Sequence, residues 1–239
     1  MTREILIVGG AGEDPKNVNG SFVKSYLAPF LKSTDRLIGI DYPASIGIAN
    51  PTPNPTDIKE GALESRAIAV RNLAAYIRQT KFVPYIVAYS LGAWAVSDFL
   101  EELAEGKHPG LEIAGVILIA SPKNGRDTGY GYGIAGKHKP YPTKFPIVEV
   151  NNWNDGICSC PKGSALRVLP LLGELFTLNY RDPKVRLAMV QFLGSAFAAV
   201  KTMPTVHDAM LLGKYVEGKA HGSDYRSAVL RAPAQRMLG

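Results

Sequence analysis

Short apolar segments alternate along this chain with longer segments that have helical periodicity. The apolar segments are rich in Ile, Val and Leu and have only four to eight residues, the length of strands rather than helices. They are Ile5–Val8, Leu37–Ile40, Tyr85–Tyr89, Ile113–Ala120 and Pro146–Val150. This alternation predicts an α/β fold in which helices flank both faces of a central, mainly parallel sheet.

Three of the intervening segments carry apolar residues at the spacing of amphipathic helices. Ser21–Leu31 has aromatic residues at every fourth position, and Gly92–Ala104 begins shortly after the third strand. The apolar face of the longest helix would be formed by Leu63, Ala67, Val70, Ala74 and Ile77. We therefore expect these five side chains to be buried.

The last third of the chain has a different pattern. Residues 129–136 include four glycines and two tyrosines, which predicts a mobile loop. From residue 163 to residue 205 the pattern is helical without a strand signal, and we interpret this segment as a helical cap inserted over the edge of the sheet. One of its helices would carry an apolar face of Leu187, Val190, Leu193 and Phe197. An ordinary amphipathic helix packed on the core is the alternative.

The composition fits one globular domain. A chain of 239 residues, 46% of them hydrophobic, can bury a core large enough to fold without disulfides or metals. The two cysteines exclude a disulfide-dense secreted scaffold. Because no repeat or interdomain linker interrupts the chain, we predict a single domain over residues 1–239, with the insertion at 163–205 inside it.

The charge does not indicate a particular partner. The chain has 27 Lys and Arg against 21 Asp and Glu, a net charge of +6, but no run of five basic residues. Scattered basic residues are typical of a solvated surface, so we expect no nucleic-acid partner. Ile5–Val8 is too short for the apolar region of a signal peptide, and Leu187–Val200 is too short to span a bilayer. We expect a chain made in the cytoplasm without stable membrane insertion.

A serine lies between the third strand and the helix that follows it. In Val83–Trp94, the apolar strand ends at Ser90, and Leu91 and Gly92 begin the helix. This is the pattern of a nucleophile elbow, in which a sharp turn lifts the serine Oγ above the sheet edge and the helix N-terminus supplies an oxyanion donor. Ala88 stands where the usual Gly-x-Ser-x-Gly pattern has its first glycine. The alternative is that Ser90 only caps the helix.

A nucleophilic serine needs a histidine base, and the base needs an acid that orients it. The chain order in this fold is serine, acid, histidine. Asp155 is the only carboxylate in the loop after Pro146–Val150, and Asp127, after the preceding strand, is the alternative acid. Of the four histidines, only His207 and His221 come late enough to be the base. His108 and His138 are most simply explained as surface residues.

We favour His221 over His207 as the base. His221 lies in a flexible segment just before the last predicted helix, Tyr225–Arg231, so it can reach both Ser90 and Asp155. His207 opens another predicted helix, which would constrain its ring.

The sequence indicates no cofactor or metal. Gly10-Ala11-Gly12 resembles part of a dinucleotide-binding fingerprint, but Pro15 stands where the third glycine is needed. Cys158 and Cys160 have no clustered histidine or cysteine that would complete a zinc site. A disulfide between these two cysteines would close a strained ring.

Five short motifs together resemble the cutinase superfamily, and within it most closely the lysin B esterases of actinobacteriophages. The next most similar group is the PE-PPE-type esterases of mycobacteria. The motifs are the elbow around Ser90, Asp155–Cys158, His221–Tyr225, Gly9–Gly12 and Asp41–Ala44. The chain departs from the family at Ala88 and at Leu91, where glutamine is usual, and it has no recognisable peptidoglycan-binding module. In cutinases the cysteine that matches Cys158 is often in a disulfide.

The resemblance implies a serine esterase with Ser90, Asp155 and His221 as its triad. The oxyanion would be held by the N–H of Leu91 and a second N–H from the Gly10–Gly12 turn, at Ala11 or Gly12. The implied substrate is the ester that joins mycolic acids to arabinogalactan, reached when the enzyme leaves the host cytoplasm at lysis. The alternative from another class is a non-catalytic α/β module that binds cell-wall polymers or nucleic acid.

Overall fold

Five parallel strands form the central sheet. The computed structural model describes residues 2–46, 61–125, 130–170 and 206–239. Its strands are β1 (Glu4–Val8), β2 (Arg36–Gly39), β3 (Tyr85–Tyr89), β4 (Gly115–Ile119), β5 (Gly131–Tyr132), β6 (Ile147–Val150) and β7 (Cys160–Pro161). The sheet has the order β2-β1-β3-β4-β6, and every neighbouring pair is parallel. The prediction of a mainly parallel sheet is confirmed.

Helices pack on both faces of this sheet. They are α1 (Phe22–Leu27), α2 (Ala62–Gln79), α3 (Leu91–Ala104), α4 (Val206–Val216) and α5 (Ala228–Leu238). Short 3-10 turns span Ala28–Phe30, Ala165–Val168 and Ser223–Arg226. Among the described residues, no helix is long and apolar enough to cross a membrane.

The strands are buried on both faces, which explains their continuous apolar sequences. Alternate side chains point to opposite faces of a strand. In β1, Leu6 and Val8 therefore join a cluster with α2 and α3, whereas Ile5 and Ile7 join a second cluster with α1 and α5. The parallel sheet, its two helical layers and the turn from β3 into α3 make this an α/β-hydrolase fold.

Three helix and loop predictions need correction. The helix predicted over Ser21–Leu31 ends at Leu27, because Pro29 has no N–H to donate and its ring obstructs the preceding turn. The last predicted helix, Tyr225–Arg231, is instead a 3-10 turn followed by α5. Within the predicted mobile loop, Gly131 forms part of β5, which pairs with β7. A Cβ on Gly131 would overlap the Cys160 carbonyl, so this glycine permits close strand pairing.

The predicted buried face of α2 is correct at three of its five positions. Leu63 is 57% exposed and Ala67 is also exposed, while Val70, Ala74 and Ile77 are buried as expected. Arg66 occupies a core-facing position, because its guanidinium lies 3.9 Å above the Trp94 ring and pairs with Asp98. A prediction based only on the spacing of apolar residues misses this position, because the buried residue there is an arginine paired with Asp98.

The predicted insertion lies mostly outside the described residues. Its described part, residues 163–170, contains the 3-10 turn Ala165–Val168. Leu187, Val190, Leu193 and Phe197 all fall outside, so the cap stays a prediction. The extent of the single domain likewise stays a prediction.

We predict that Gly92→Ala destabilises the protein by about 3 kcal/mol or more, because a forced contact with backbone cannot relax as a side chain does. A Cβ at residue 92 would overlap the carbonyl oxygens of Val8 and Gly9. Gly213→Ala in α4 is the control, since a Cβ there meets nothing within 4 Å and alanine favours helix by up to about 1 kcal/mol. Urea unfolding of both variants measures the difference, and equal stabilities would contradict the packing described.

Candidate active site

The carboxyl ends of β1 and β3 meet at the point where the chain reverses its direction across the sheet. From β1 the chain proceeds to β2 on one side, and it then returns to β3 on the other side of β1. Loops that leave such adjacent strands in opposite directions open a crevice, which is where α/β proteins place their ligands. The Gly9–Gly12 turn and Ser90 both lie at this edge.

Ser90 has a strained backbone conformation. Its φ of 52° and ψ of −118° are rare for a residue with a side chain, and they form the sharp turn between β3 and α3. Its N–H donates to the Ile119 carbonyl at 2.9 Å, which anchors the turn to β4. The side chain makes no capping hydrogen bond to α3. The helix-cap interpretation of Ser90 therefore does not describe this turn.

The Ser90 side chain instead contacts a histidine. Its Oγ lies 2.8 Å from Nε2 of His221, and Nδ1 of the same ring lies 2.8 Å from Oδ2 of Asp155. His221 is 8% exposed and Asp155 is 1% exposed, so the ring is held between a buried carboxylate and the serine at the edge of the crevice. The structure thus brings together the three residues that the sequence analysis selected.

The loop that carries Asp155 is fixed by several hydrogen bonds. Oδ1 of Asp155 accepts from the Ile157 N–H at 3.0 Å, and Oδ2 accepts a second hydrogen bond from the Tyr225 hydroxyl at 2.8 Å. The Asn152 side-chain amide donates to the Ala220 carbonyl at 2.9 Å and so ties this loop to the residue before His221. In the sequence, Tyr225 stands out only as an aromatic residue after the histidine, and no motif indicates Asn152.

Aromatic side chains support the histidine from its other side. The Tyr89 hydroxyl donates to the His221 carbonyl, and the two rings lie 5.2 Å apart. Phe22 of α1 stacks on Tyr89 with 4.0 Å between ring centroids. These contacts hold the His221 backbone against the end of β3, where Ser90 lies.

Two backbone N–H groups near Ser90 are available as oxyanion donors. Within the described residues, the N–H groups of Leu91 and Ala11 donate no hydrogen bond. The prediction that Gly12 supplies a donor needs correction, because its N–H already donates to the Ala44 carbonyl at 2.7 Å. The Gly10 N–H is likewise used, by a carboxylate oxygen of Glu13 at 2.6 Å.

The alternative acid and base are not tested by this arrangement. Asp127 lies outside the described residues, and His207 belongs to α4 with a side chain that is not described. His138 is half-buried rather than a solvated surface residue, and it stacks on Tyr141 at 3.6 Å. Burial disfavours its charged form, but contacts with Glu149 and the Lys139 carbonyl outweigh this and raise the pKa of His138.

Both cysteines are buried free thiols, so the disulfide common in the resembling family has no counterpart between them. Burial raises the pKa of Cys158 well above its ordinary value, and it also raises that of Cys160. The described part of the chain contains no group of three or more His, Cys, Asp or Glu residues that could hold a metal ion.

Comparison with known proteins gives structural similarity only at low levels. No protein-family model and no curated protein matches this sequence. A cutinase-like protein from Cryptococcus sp. has 15% identity and a TM-score of 0.39, over 74% of this chain and 94% of its own. An acetyl xylan esterase has 12% identity and a TM-score of 0.42, over 81% and 97% of the two chains.

A third solved structure, a putative hydrolase from Pectobacterium atrosepticum, has 15% identity and a TM-score of 0.37, over 67% of this chain and 68% of its own. At these values, none of the three structures indicates a function for this chain.

We predict that Asp155→Asn lowers kcat for ester hydrolysis by about 10^3-fold to 10^4-fold, because the asparagine amide favours the wrong imidazole tautomer and cannot stabilise its charged form. Asp127→Asn is the comparison and should have a mild effect. Steady-state kinetics with a p-nitrophenyl ester measures both variants. The reverse result would assign the acid to Asp127.

We also predict that neither cysteine reacts with Ellman's reagent in the native protein, since thiolates are the reactive species and burial raises the pKa of both thiols. After denaturation in guanidinium without reductant, two thiols per chain should react. A denatured chain that releases no colour would show a disulfide and contradict this arrangement of the Asp155 loop.

Proposed function

We propose that this protein is a serine carboxylic-ester hydrolase with Ser90 as nucleophile, His221 as general base and Asp155 as the acid that orients the histidine. The observation that carries the proposal is the continuous hydrogen-bonded chain from Ser90 Oγ through the His221 ring to Asp155, with 2.8 Å at each step. A serine that only caps a helix needs neither the strained turn nor a buried histidine. The same geometry argues against a module that only binds wall polymers.

In the reaction, Ser90 Oγ attacks the ester carbonyl carbon while its proton passes to Nε2 of His221. Asp155 accepts a hydrogen bond from Nδ1–H and stabilises the imidazolium. The N–H groups of Leu91 and Ala11 stabilise the negative oxygen of the tetrahedral intermediate. The intermediate then expels the alcohol, which takes the proton from Nε2, and water hydrolyses the acyl-enzyme through the same base.

The substrate class follows from the sequence resemblance to lysin B esterases. We propose that the acyl group is a mycolic acid and that the ester is its link to arabinogalactan in a mycobacterial-type envelope. The chain would be made in the host cytoplasm and reach this substrate at lysis. A net charge of +6 favours association with an anionic envelope. No nucleic-acid partner or membrane insertion is part of this proposal.

We predict that the wild-type protein hydrolyses p-nitrophenyl esters and that Ser90→Ala loses at least about three orders of magnitude in kcat, because the attacking oxygen is gone. The variant should keep the wild-type unfolding midpoint. Ser227→Ala is the matched control, since Ser227 is exposed and its side chain makes no capping hydrogen bond to α5. A Ser90→Ala variant with more than about a tenth of the wild-type rate would exclude this nucleophile.

The wild-type protein and Ser90→Ala also test the proposed substrate. Incubation of wild type with mycolylarabinogalactan should release free mycolic acid, detected by mass spectrometry, and Ser90→Ala should release none. Hydrolysis of short p-nitrophenyl esters without mycolate release would leave the esterase proposal in place and exclude the mycolyl substrate.

A further inference from the structure

We propose that Tyr225 is a positioning residue that fixes the carboxylate of Asp155 and, through it, sets the pH range in which His221 acts as a base. The proposal rests on the proposed esterase function. It adds a fourth member to the hydrogen-bonded chain, at Oδ2 of Asp155, the oxygen that also faces His221.

The proposal starts from the hydrogen bonds of the Asp155 carboxylate. Its Oδ2 accepts from both Nδ1 of His221 and the Tyr225 hydroxyl, each at 2.8 Å, while Oδ1 accepts from the Ile157 N–H. Asp155 is 1% exposed and Tyr225 is fully buried. Because water is excluded from this carboxylate, each protein donor has a large share in stabilising its charge.

The direction of the Tyr225 hydrogen bond follows from its second partner. The Asn152 backbone N–H lies 3.1 Å from the Tyr225 oxygen, and a backbone N–H can only donate. The hydroxyl therefore accepts from Asn152, and its own proton is left for Asp155. Cys158 Sγ also lies 3.1 Å from this hydroxyl and 3.6 Å from Asp155 Oδ2.

Burial keeps these neighbours of Asp155 neutral. It raises the pKa of Tyr225 and the pKa of Cys158 well above their ordinary values, and the nearby Asp155 charge raises both further. Neither Tyr225 nor Cys158 therefore adds a negative charge beside the Asp155 carboxylate.

The hydroxyl acts on the same oxygen that faces His221. A donor at Oδ2 spreads the carboxylate charge over two hydrogen bonds, which reduces its attraction for the imidazolium. Without that donor, Asp155 would favour the protonated ring more strongly, and His221 would become a neutral base only at higher pH. The carboxylate would also lose one of the hydrogen bonds that fix its orientation.

Tyr225→Phe removes one hydroxyl and replaces no other residue that contacts His221. Among the described residues, the contacts of His221 include Tyr89, whose hydroxyl donates to the His221 carbonyl, and Ser90. The charged groups on the surrounding elements each have a partner of their own. Glu13 accepts hydrogen bonds from the backbone N–H groups of Gly10 and Phe22, and Arg226 lies over the Phe22 ring. Asp208 accepts a hydrogen bond from Ser164, and Lys214 donates one to Asn154. A shift in Tyr225→Phe therefore reports the lost hydroxyl.

The test compares Tyr225→Phe with Tyr26→Phe. Tyr26 is also fully buried in the same apolar cluster, but its hydroxyl donates to the Leu230 carbonyl at 2.8 Å. For Tyr225→Phe, we expect the acid limb of the kcat/KM profile to move to higher pH by about half a unit or more. At the plateau, kcat should fall about tenfold with KM unchanged, since only orientation in the transition state is lost. Tyr26→Phe should change neither the position of the acid limb nor kcat.

A second readout does not depend on turnover. The nitrogen resonances of His221 in the 15N-histidine-labelled protein, assigned with His221→Ala, give a titration midpoint that should rise in Tyr225→Phe. Site-specific 3-fluorotyrosine at residue 225, a stronger donor of similar size, should lower it. This variant keeps the hydroxyl and tests the proposal if the phenylalanine variant fails to fold.

The outcomes separate this proposal from the esterase function. Absence of ester hydrolysis by wild type would exclude the proposed function, while the His221 titration would still show whether Tyr225 acts on the Asp155–His221 pair. An unchanged midpoint in both residue 225 variants, or an equal effect of Tyr26→Phe, would overturn the positioning role.

Discussion

The close approach of α3 to the end of β1 is the contact on which the site depends. Gly92 lies directly against the carbonyl oxygens of Val8 and Gly9, so α3 begins one residue after Ser90 and the turn has no room to relax. That approach keeps Ser90 at positive φ and sets its side chain above the sheet edge. It also brings the turn after β1 close to Ser90, since a Cβ on Gly10 would lie 3.4 Å from the Ser90 Cβ. One packing contact thereby places both the proposed nucleophile and the candidate oxyanion donors.

The parts of the protein that depend on local pattern were predictable from the sequence. The strands follow from short apolar segments, and the serine turn follows from a strand that ends at Ser90 with small residues around it. The choice of Asp155 and His221 used chain order together with family resemblance, and the structure places both within hydrogen-bond distance of each other. A parallel sheet brings loops from different strands to one edge, so order along the chain restricts which loops can meet.

The parts that depend on long-range contacts were not predictable in this way. Tyr225 and Asn152 are separated by 73 residues, and their contact requires the loop after β6 to pack against the 3-10 turn before α5. The Gly12 N–H is used by Ala44, a partner that no local motif indicates. Arg66 replaces an apolar residue on the buried face of α2 because Asp98 and Trp94 compensate its charge. In each case the role of a residue depends on a polar partner that lies in a distant segment of the chain.

The buried carboxylate explains why so many hydrogen bonds converge on the Asp155 loop. A carboxylate that is 1% exposed has lost its water, and its burial is strongly destabilising unless protein donors replace that water. Ile157, Tyr225 and His221 supply those donors, and the Asn152 side chain ties the loop that carries Asp155 to the residue before His221. The same requirement fixes the carboxylate in one orientation, which in turn fixes the imidazole that faces Ser90. Because these donors come from the loop after β6 and from the segment before α5, two parts of the chain that are distant in sequence together hold the carboxylate that faces His221.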